Sequence, residues 1–159
     1  MAISLLLSAF LIGCVCGLRS MTAPAVVAWG AHLGWLHLDG SFLAFLANKI
    51  SLIIFSLFAI GELIADKLPF IPSRLQAGPL GVRIVFGAIC GAALAISGGG
   101  APLIGALLGG LGGVAGAFAG SQYRRQLSRG AKVPDFLIAL LEDVVAVMSD
   151  MEVALYRVP

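Results

Sequence analysis

The stretch from Ile84 to Tyr123, "IVFGAICGAALAISGGGAPLIGALLGGLGGVAGAFAGSQY", runs 40 residues without a charged side chain. A helix needs about 20 apolar residues to cross a bilayer, so this run is long enough for two crossings. "SGGGAP", residues 97–102, is the natural turn between them. Its glycines release one helix, and its proline suits the first turn of the next. The rest of the chain has the same character. Hydrophobic residues make up 60% of the 159 positions and charged residues 11%, whereas soluble domains carry about 25% charged residues. With a mean hydropathy of +1.04, this composition does not supply a water-facing surface. It predicts one all-α membrane domain over residues 1–159, with the lipid bilayer as its surroundings.

Working outward from that run, apolar segments fall at roughly 2–18, 23–38, 42–66, 80–97, 102–123 and 135–155. They predict a polytopic bundle of about six transmembrane helices. The segments are separated by breakers, among them "RSMTAP", "HLDGS" and "KLPFIPSRLQAGP". The second is short, about 24 Å by helical rise, and fits a half-crossing or a re-entrant helix. The sixth is interrupted by acids. "LIGC" at 11–14 has the form of a lipoprotein cleavage box, but no Lys or Arg precedes it. The first segment is therefore read as an uncleaved membrane helix.

The basic residues are unevenly placed. Arg19 lies in the first connection, Lys67 and Arg74 in the third with Arg83 close after, and Arg124, Arg125, Arg129 and Lys132 in the fifth. The second and fourth connections have none, and Lys49 and Arg157 are lone exceptions. Basic loops stay in the cytoplasm, so the odd connections are expected there and both termini outside. The net charge of +2 says little about partners, and no basic run with interleaved aromatics suggests nucleic acid. Cys14, Cys16 and Cys90 lie in apolar stretches, where cysteine behaves as a small apolar residue. His32 and His37 flank Trp29 and Trp35, with Asp39 as the one acid nearby. That is an interfacial aromatic belt rather than a metal site, and no cofactor is expected.

The two halves of the chain can be superimposed as sequence. "IGCVCG" (12–17) matches "FGAICG" (86–91), "TAPAVVAWGAHLG" (22–34) matches "GAPLIGALLGGLG" (100–112), and "AIGELIAD" (59–66) matches "ALLEDVVA" (139–146). Each half, 1–72 and 78–155, would hold three crossings, an odd number. The halves would then enter from opposite sides, as an inverted 3+3 repeat of the kind found in transporters.

Three features carry the functional expectation. In "FAIGELIADKLP" (58–69), Glu62 and Asp66 are one helical turn apart and share a face. The last segment holds Asp135, Glu142, Asp143 and Asp150 on one stripe. Carboxylates within a membrane are costly and are functional-site hypotheses by default. Glu62, Asp66, Glu142 and Asp143, with Arg19 and Arg83, are the expected site for an ion or small solute. The alternative is that the acids of the last segment pair with Arg83 or Arg124 as structural salt bridges, while Lys67 neutralises Glu62 or Asp66 at the end of the third segment. Second, Gly105, Gly109, Gly113, Gly116 and Gly120 recur on the fifth segment, where small residues let helix backbones approach; they also leave room for a homo-oligomer. Third, "TAP" at 22–24 and "GAP" at 100–102 each open a helix. No nucleophile–base pair and no metal-ligand spacing suggests an enzyme. The expected function is a small transporter or channel; the alternative is a non-transporting membrane scaffold.

"GLRSMTAP" (17–24), "GELIADKLP" (61–69) and "PDFLIALLED" (134–143) resemble a family of small bacterial inner-membrane proteins known as a domain of unknown function. Glu62, Ala65, Asp66, Lys67 and Pro69 match its Glu-x-x-Ala-Asp-Lys-x-Pro motif, and Glu142 and Asp143 its C-terminal acidic pair. The resemblance spans nearly the whole chain and implies a bacterial inner-membrane location. It implies no activity. The last segment is more acidic here than the family pattern.

Overall fold

The computed structural model of the chain describes residues 3–65 and 77–127. The described residues form five α-helices and one 3-10 turn, with no strand among them. The helices are α1 (Ile3–Leu18), α2 (Thr22–His32), α3 (Lys49–Ala65), α4 (Ala77–Ser97) and α5 (Pro102–Leu127). The 3-10 turn, Ala44–Ala47, precedes α3. Two stretches, Ala77–Ser97 and Pro102–Gln122, are long and apolar enough to cross a membrane. The sixth apolar segment lies outside the described residues.

The long uncharged run folds as read, with α4 and α5 on either side of the glycine turn. Gly99 takes a left-handed φ of 68°. The Gly99 and Gly100 N–H groups return to the carbonyls of Ile96 and Ala95, at 3.0 and 2.7 Å. That satisfies carbonyls a helix end would leave open. The same device ends α2. Gly34 has φ 78°, and Gly34 and Trp35 donate to Ala31 and Gly30 at 3.2 and 2.9 Å. The second apolar segment was expected to 38, but this glycine stops the helix at His32. At about 1.5 Å per residue, its 11 residues reach roughly 16 Å, half of a hydrocarbon core. The third segment is likewise not one helix from 42. Asn48 is extended, with ψ 139°, and its side-chain oxygen accepts the Ile50 N–H at 3.1 Å, an N-cap that starts α3 afresh.

Glycine decides the packing of α1, α4 and α5. A Cβ placed on Gly13 would collide with the Gly109 carbonyl, and one on Gly17 would lie 2.6 Å from the Ala117 nitrogen. On the other side, a Cβ on Gly87 would stand 3.3 Å from the Gly109 carbonyl carbon, and one on Gly91 2.9 Å from its Cα. Helix α5 is thus gripped between two helices that each offer a Gly-x-x-x-Gly face. Of the glycines singled out on α5, Gly105, Gly109, Gly113 and Gly116 all touch neighbouring helices, and Gly120 is buried. Leu103, Leu107 and Leu111 point outward.

The contacts also set direction. Position 13 meets 109 and 17 meets 116, whereas 87 meets 113 and 91 meets 105, so α1 runs parallel to α5 and α4 runs against both. Helix α2 runs against α3, since Ser20 and Met21 meet Glu62 while His32 meets Ala47. The α3 C-terminus therefore lies beside the α1 C-terminus, and α1, α3 and α5 share one direction. The α2–η1–α3 unit is pinned to the glycine-packed trio by Leu38, Leu43 and Leu46 in the core and by an edge-to-face pair of Phe55 and Phe86, 5.9 Å between centroids.

Candidate functional site

Between α1 and α2 only Arg19, Ser20 and Met21 separate the two helices. This break creates two opposite poles. The end of α1 leaves carbonyls open and carries partial negative charge, while the start of α2 carries partial positive charge. Each pole is met by a side chain of the opposite sign from another helix. Arg83 of α4 donates through Nη1 to the carbonyls of Gly17 and of Leu18, the second at 3.2 Å. Glu62 of α3 accepts the Ser20 N–H at 2.9 Å and the Ser20 hydroxyl at 2.7 Å on Oε1, and the Met21 N–H at 2.9 Å on Oε2. Both sets are charge-assisted, the stronger class of hydrogen bond. The two charges stand 4.0 Å apart, Arg83 Nη2 to Glu62 Oε1.

The pair is sheltered. The side chains are 9% and 16% exposed. Arg83 is level with Gly113, where a Cβ would lie 2.8 Å from the Arg83 carbonyl. The next charge along α5 is Arg124, which helical rise puts roughly 16 Å further on. Gly17 is level with Ala117, about 10 Å short of Arg124 by the same rise. The break and its ion pair therefore sit recessed within the bundle, below its basic end. Cys16 closes one side, its Sγ 3.4 Å from the Ser20 carbonyl.

Of the expected site residues, the structure brings together Glu62 and Arg83, with Arg19 partly buried in the connection they hold. Asp66, Glu142 and Asp143 lie outside the described residues, as do Lys67, Asp135 and Asp150. Sequence reasoning did not single out Ser20, Met21 or the Gly17 and Leu18 carbonyls. Backbone groups carry most of this site, and they have no letter of their own in a sequence. The available signal was "RSMTAP" itself, a short polar interruption between two apolar segments. At the opposite end, His32 Nδ1 is 3.0 Å from the Ala47 carbonyl oxygen, the Trp29 indole donates to Ser56 at 3.1 Å, and the His37 N–H donates to Ser97 at 3.1 Å. Among the described residues no group of His, Cys, Asp and Glu is placed to hold a metal ion.

A family model described as a domain of unknown function, DUF4126, matches residues 6–154. No curated protein and no solved structure matches the chain.

Proposed function

The chain belongs to the DUF4126 family, whose description names no activity, and from that premise we propose that it is a small multi-pass membrane protein of the transporter or channel kind. On this reading an ion or small solute is handled at the α1–α2 break. The observation that carries it is the recessed pair of Glu62 and Arg83 at the ends of two short helices. Transport sites are commonly built where membrane helices are discontinuous and their ends face a ligand. A carboxylate at membrane depth is a functional-site hypothesis by default.

The surface supports the membrane setting. Large apolar residues are exposed along α1 (Leu7, Leu11), α3 (Ile53, Leu57, Phe58) and α5 (Leu103, Leu107, Leu111). A patch of that extent on a soluble monomer would be unusual. Of the two spanning windows, 44% and 39% are buried inside the protein, where a core helix would be mostly buried. The finer reading is six crossings as an inverted 3+3 repeat in a bacterial inner membrane, N-terminus outside. Supporting it, consecutive described helices alternate in direction. Gly13 and Gly87, equivalent in the repeat, also both meet Gly109.

A second reading, a non-transporting scaffold, is favoured by one observation: both oxygens of Glu62 are already held by donors of the chain. Flux measurements on the purified chain in liposomes separate the two. With transport, wild type carries protons, cations or a small solute, Glu62→Gln reduces that flux while the protein remains folded, and Asp39→Asn is silent. Wild-type liposomes that carry no flux of protons, cations or any small solute tested would decide for the scaffold.

A further inference from the structure

We infer that the connection between α2 and α3, residues 33–48, is an interfacial cap whose partner is the neutral ester and headgroup layer of a phospholipid membrane. The inference rests on the membrane reading above and goes beyond it by assigning this segment a lipid depth. The segment has two apolar faces. Leu38, Leu43 and Leu46 point in and are 1%, 3% and 1% exposed, whereas Trp35, Phe42 and Phe45 point out at 43%, 72% and 49%. Leu33 and the neighbouring Trp29 are also about half exposed, 50% and 48%.

The outward rings do not belong to a frayed loop. Gly34 and Gly40 set the turns with φ of 78° and 75°. Ser41 donates to the Leu38 carbonyl at 2.6 Å and accepts the Leu43 N–H at 3.3 Å. The His37 N–H is tied to Ser97, and His32 lies against the Ala47 carbonyl. A built segment that exposes two Phe and a Trp does not suit bulk water. Its non-helical backbone, with His37, Asp39 and Asn48 along it, does not suit hydrocarbon either, where each open polar group is costly. The interfacial layer accepts aromatic rings and wet backbone together.

Charge selects among lipids. The cap and its flank hold one acid, Asp39, and one base, Lys49, so attraction to anionic headgroups is not what holds it. Helix α3, which follows the cap directly in the chain, exposes Ile50, Ile53, Ile54 and Leu57, the apolar residues that would enter the hydrocarbon.

The protein has two tryptophans, so Trp29→Phe leaves Trp35 as the sole tryptophan in the full chain, excited selectively over the tyrosines. In phosphatidylcholine vesicles, lipids brominated next to the ester should quench Trp35 more strongly than lipids brominated near the chain ends. Adding anionic lipid should leave that ratio unchanged. A depth control, Trp29→Phe with Trp35→Phe and Leu57→Trp, should show the reverse order. If aqueous iodide quenches Trp35 and neither brominated lipid does, while the control is still quenched from the chain ends, the cap lies in water and the inference is overturned. It is equally overturned if Trp35 resists every quencher until the protein is diluted in lipid, since a second copy then covers it. A control untouched by any brominated lipid would overturn the membrane reading itself.

Discussion

At the scale of residues, the two charges at the α1–α2 break do different work. Glu62 satisfies three donors of one connection, and Arg83 two carbonyls of the helix before it. Glutamine in place of Glu62 keeps the shape but offers one acceptor oxygen where the site presents donors to two. Removing one member of a buried ion pair costs about 3–5 kcal/mol when the other charge is left without compensation. Here the helix poles soften that cost, because each charge also faces a dipole of opposite sign. The expected outcome is a double-mutant cycle with clear coupling: Glu62→Gln and Arg83→Gln each lower the melting temperature in detergent, and the double variant loses less than their sum. Fully additive losses would show that the 4.0 Å separation carries no interaction. Arg83→Lys should behave almost as badly as Arg83→Gln, since an ammonium cannot hold the two carbonyls with one nitrogen while turning a second toward Glu62, as Nη1 and Nη2 of the guanidinium do.

At the scale of elements, the behaviour of glycines depends on which face of their helix they occupy. On α5, a Cβ at Gly109 would run into the Gly87 carbonyl, and one at Gly116 into the Cys14 carbonyl. Backbone atoms cannot swing aside as a side-chain tip can. Gly110, on the same helix, would meet its nearest atoms at 3.7–3.9 Å, ordinary contact distance. Gly109→Ala and Gly116→Ala should therefore each destabilise by about 1–3 kcal/mol, the usual range for overpacking. Gly110→Ala should not destabilise, since ordinary contact leaves the helix-propensity gain of alanine intact. Gly81 on α4 has nothing within 4 Å of a Cβ, and Gly81→Ala should stabilise by up to about 1 kcal/mol through helix propensity. Thermal unfolding in one detergent ranks the four variants. Equal tolerance at 109 and 110 would mean that the helices do not pack through these glycines.

At the scale of the whole molecule, the ends of the bundle differ in chemistry. The α1–α2 break, the α3 C-terminus, the start of α4 and the end of α5 gather at one end, with Arg19, Arg83, Arg124 and Arg125. The α4–α5 turn and the aromatic cap gather at the other, joined by the His37–Ser97 hydrogen bond. Basic residues are retained on the cytoplasmic side, so the first end should face inward. Ser73→Cys, between α3 and α4, should resist a membrane-impermeant maleimide in intact cells, while Asp39→Cys in the cap should react. Of the native cysteines, Cys16 and Cys90 are buried and Cys14 is partly buried, so the background should be low. Labelling at Ser73→Cys from outside would reverse the orientation.

Composition and spacing were enough to make the protein helical and apolar, and the 40-residue uncharged run with its glycine turn located α4 and α5 to within a few residues at each end. Basic residues recurring at alternate connections anticipated which ends lie together. These properties are additive along the chain: hydropathy, glycine and proline act locally, so one dimension records them. The shortness of α2 was legible as well, though the Gly34 turn that ends it was not singled out. The partner of Glu62 was different. Arg83 and Arg124 were named as partners for the acids of the last segment, and Lys67 for Glu62 or Asp66, so no local rule led from Glu62 to Arg83. Glu62 reaches Ser20 across 42 positions, and Arg83 reaches Gly17 across 66. The second encounter exists because the backbones of α1, α4 and α5 touch through glycine, which brings the α1 terminus within reach of a guanidinium, and the first because α3 packs antiparallel to α2 and ends beside the break. Close approach of that kind depends on all three helices at once, so only the tertiary structure could decide that the opening carboxylate of "GELIAD" holds a helix break.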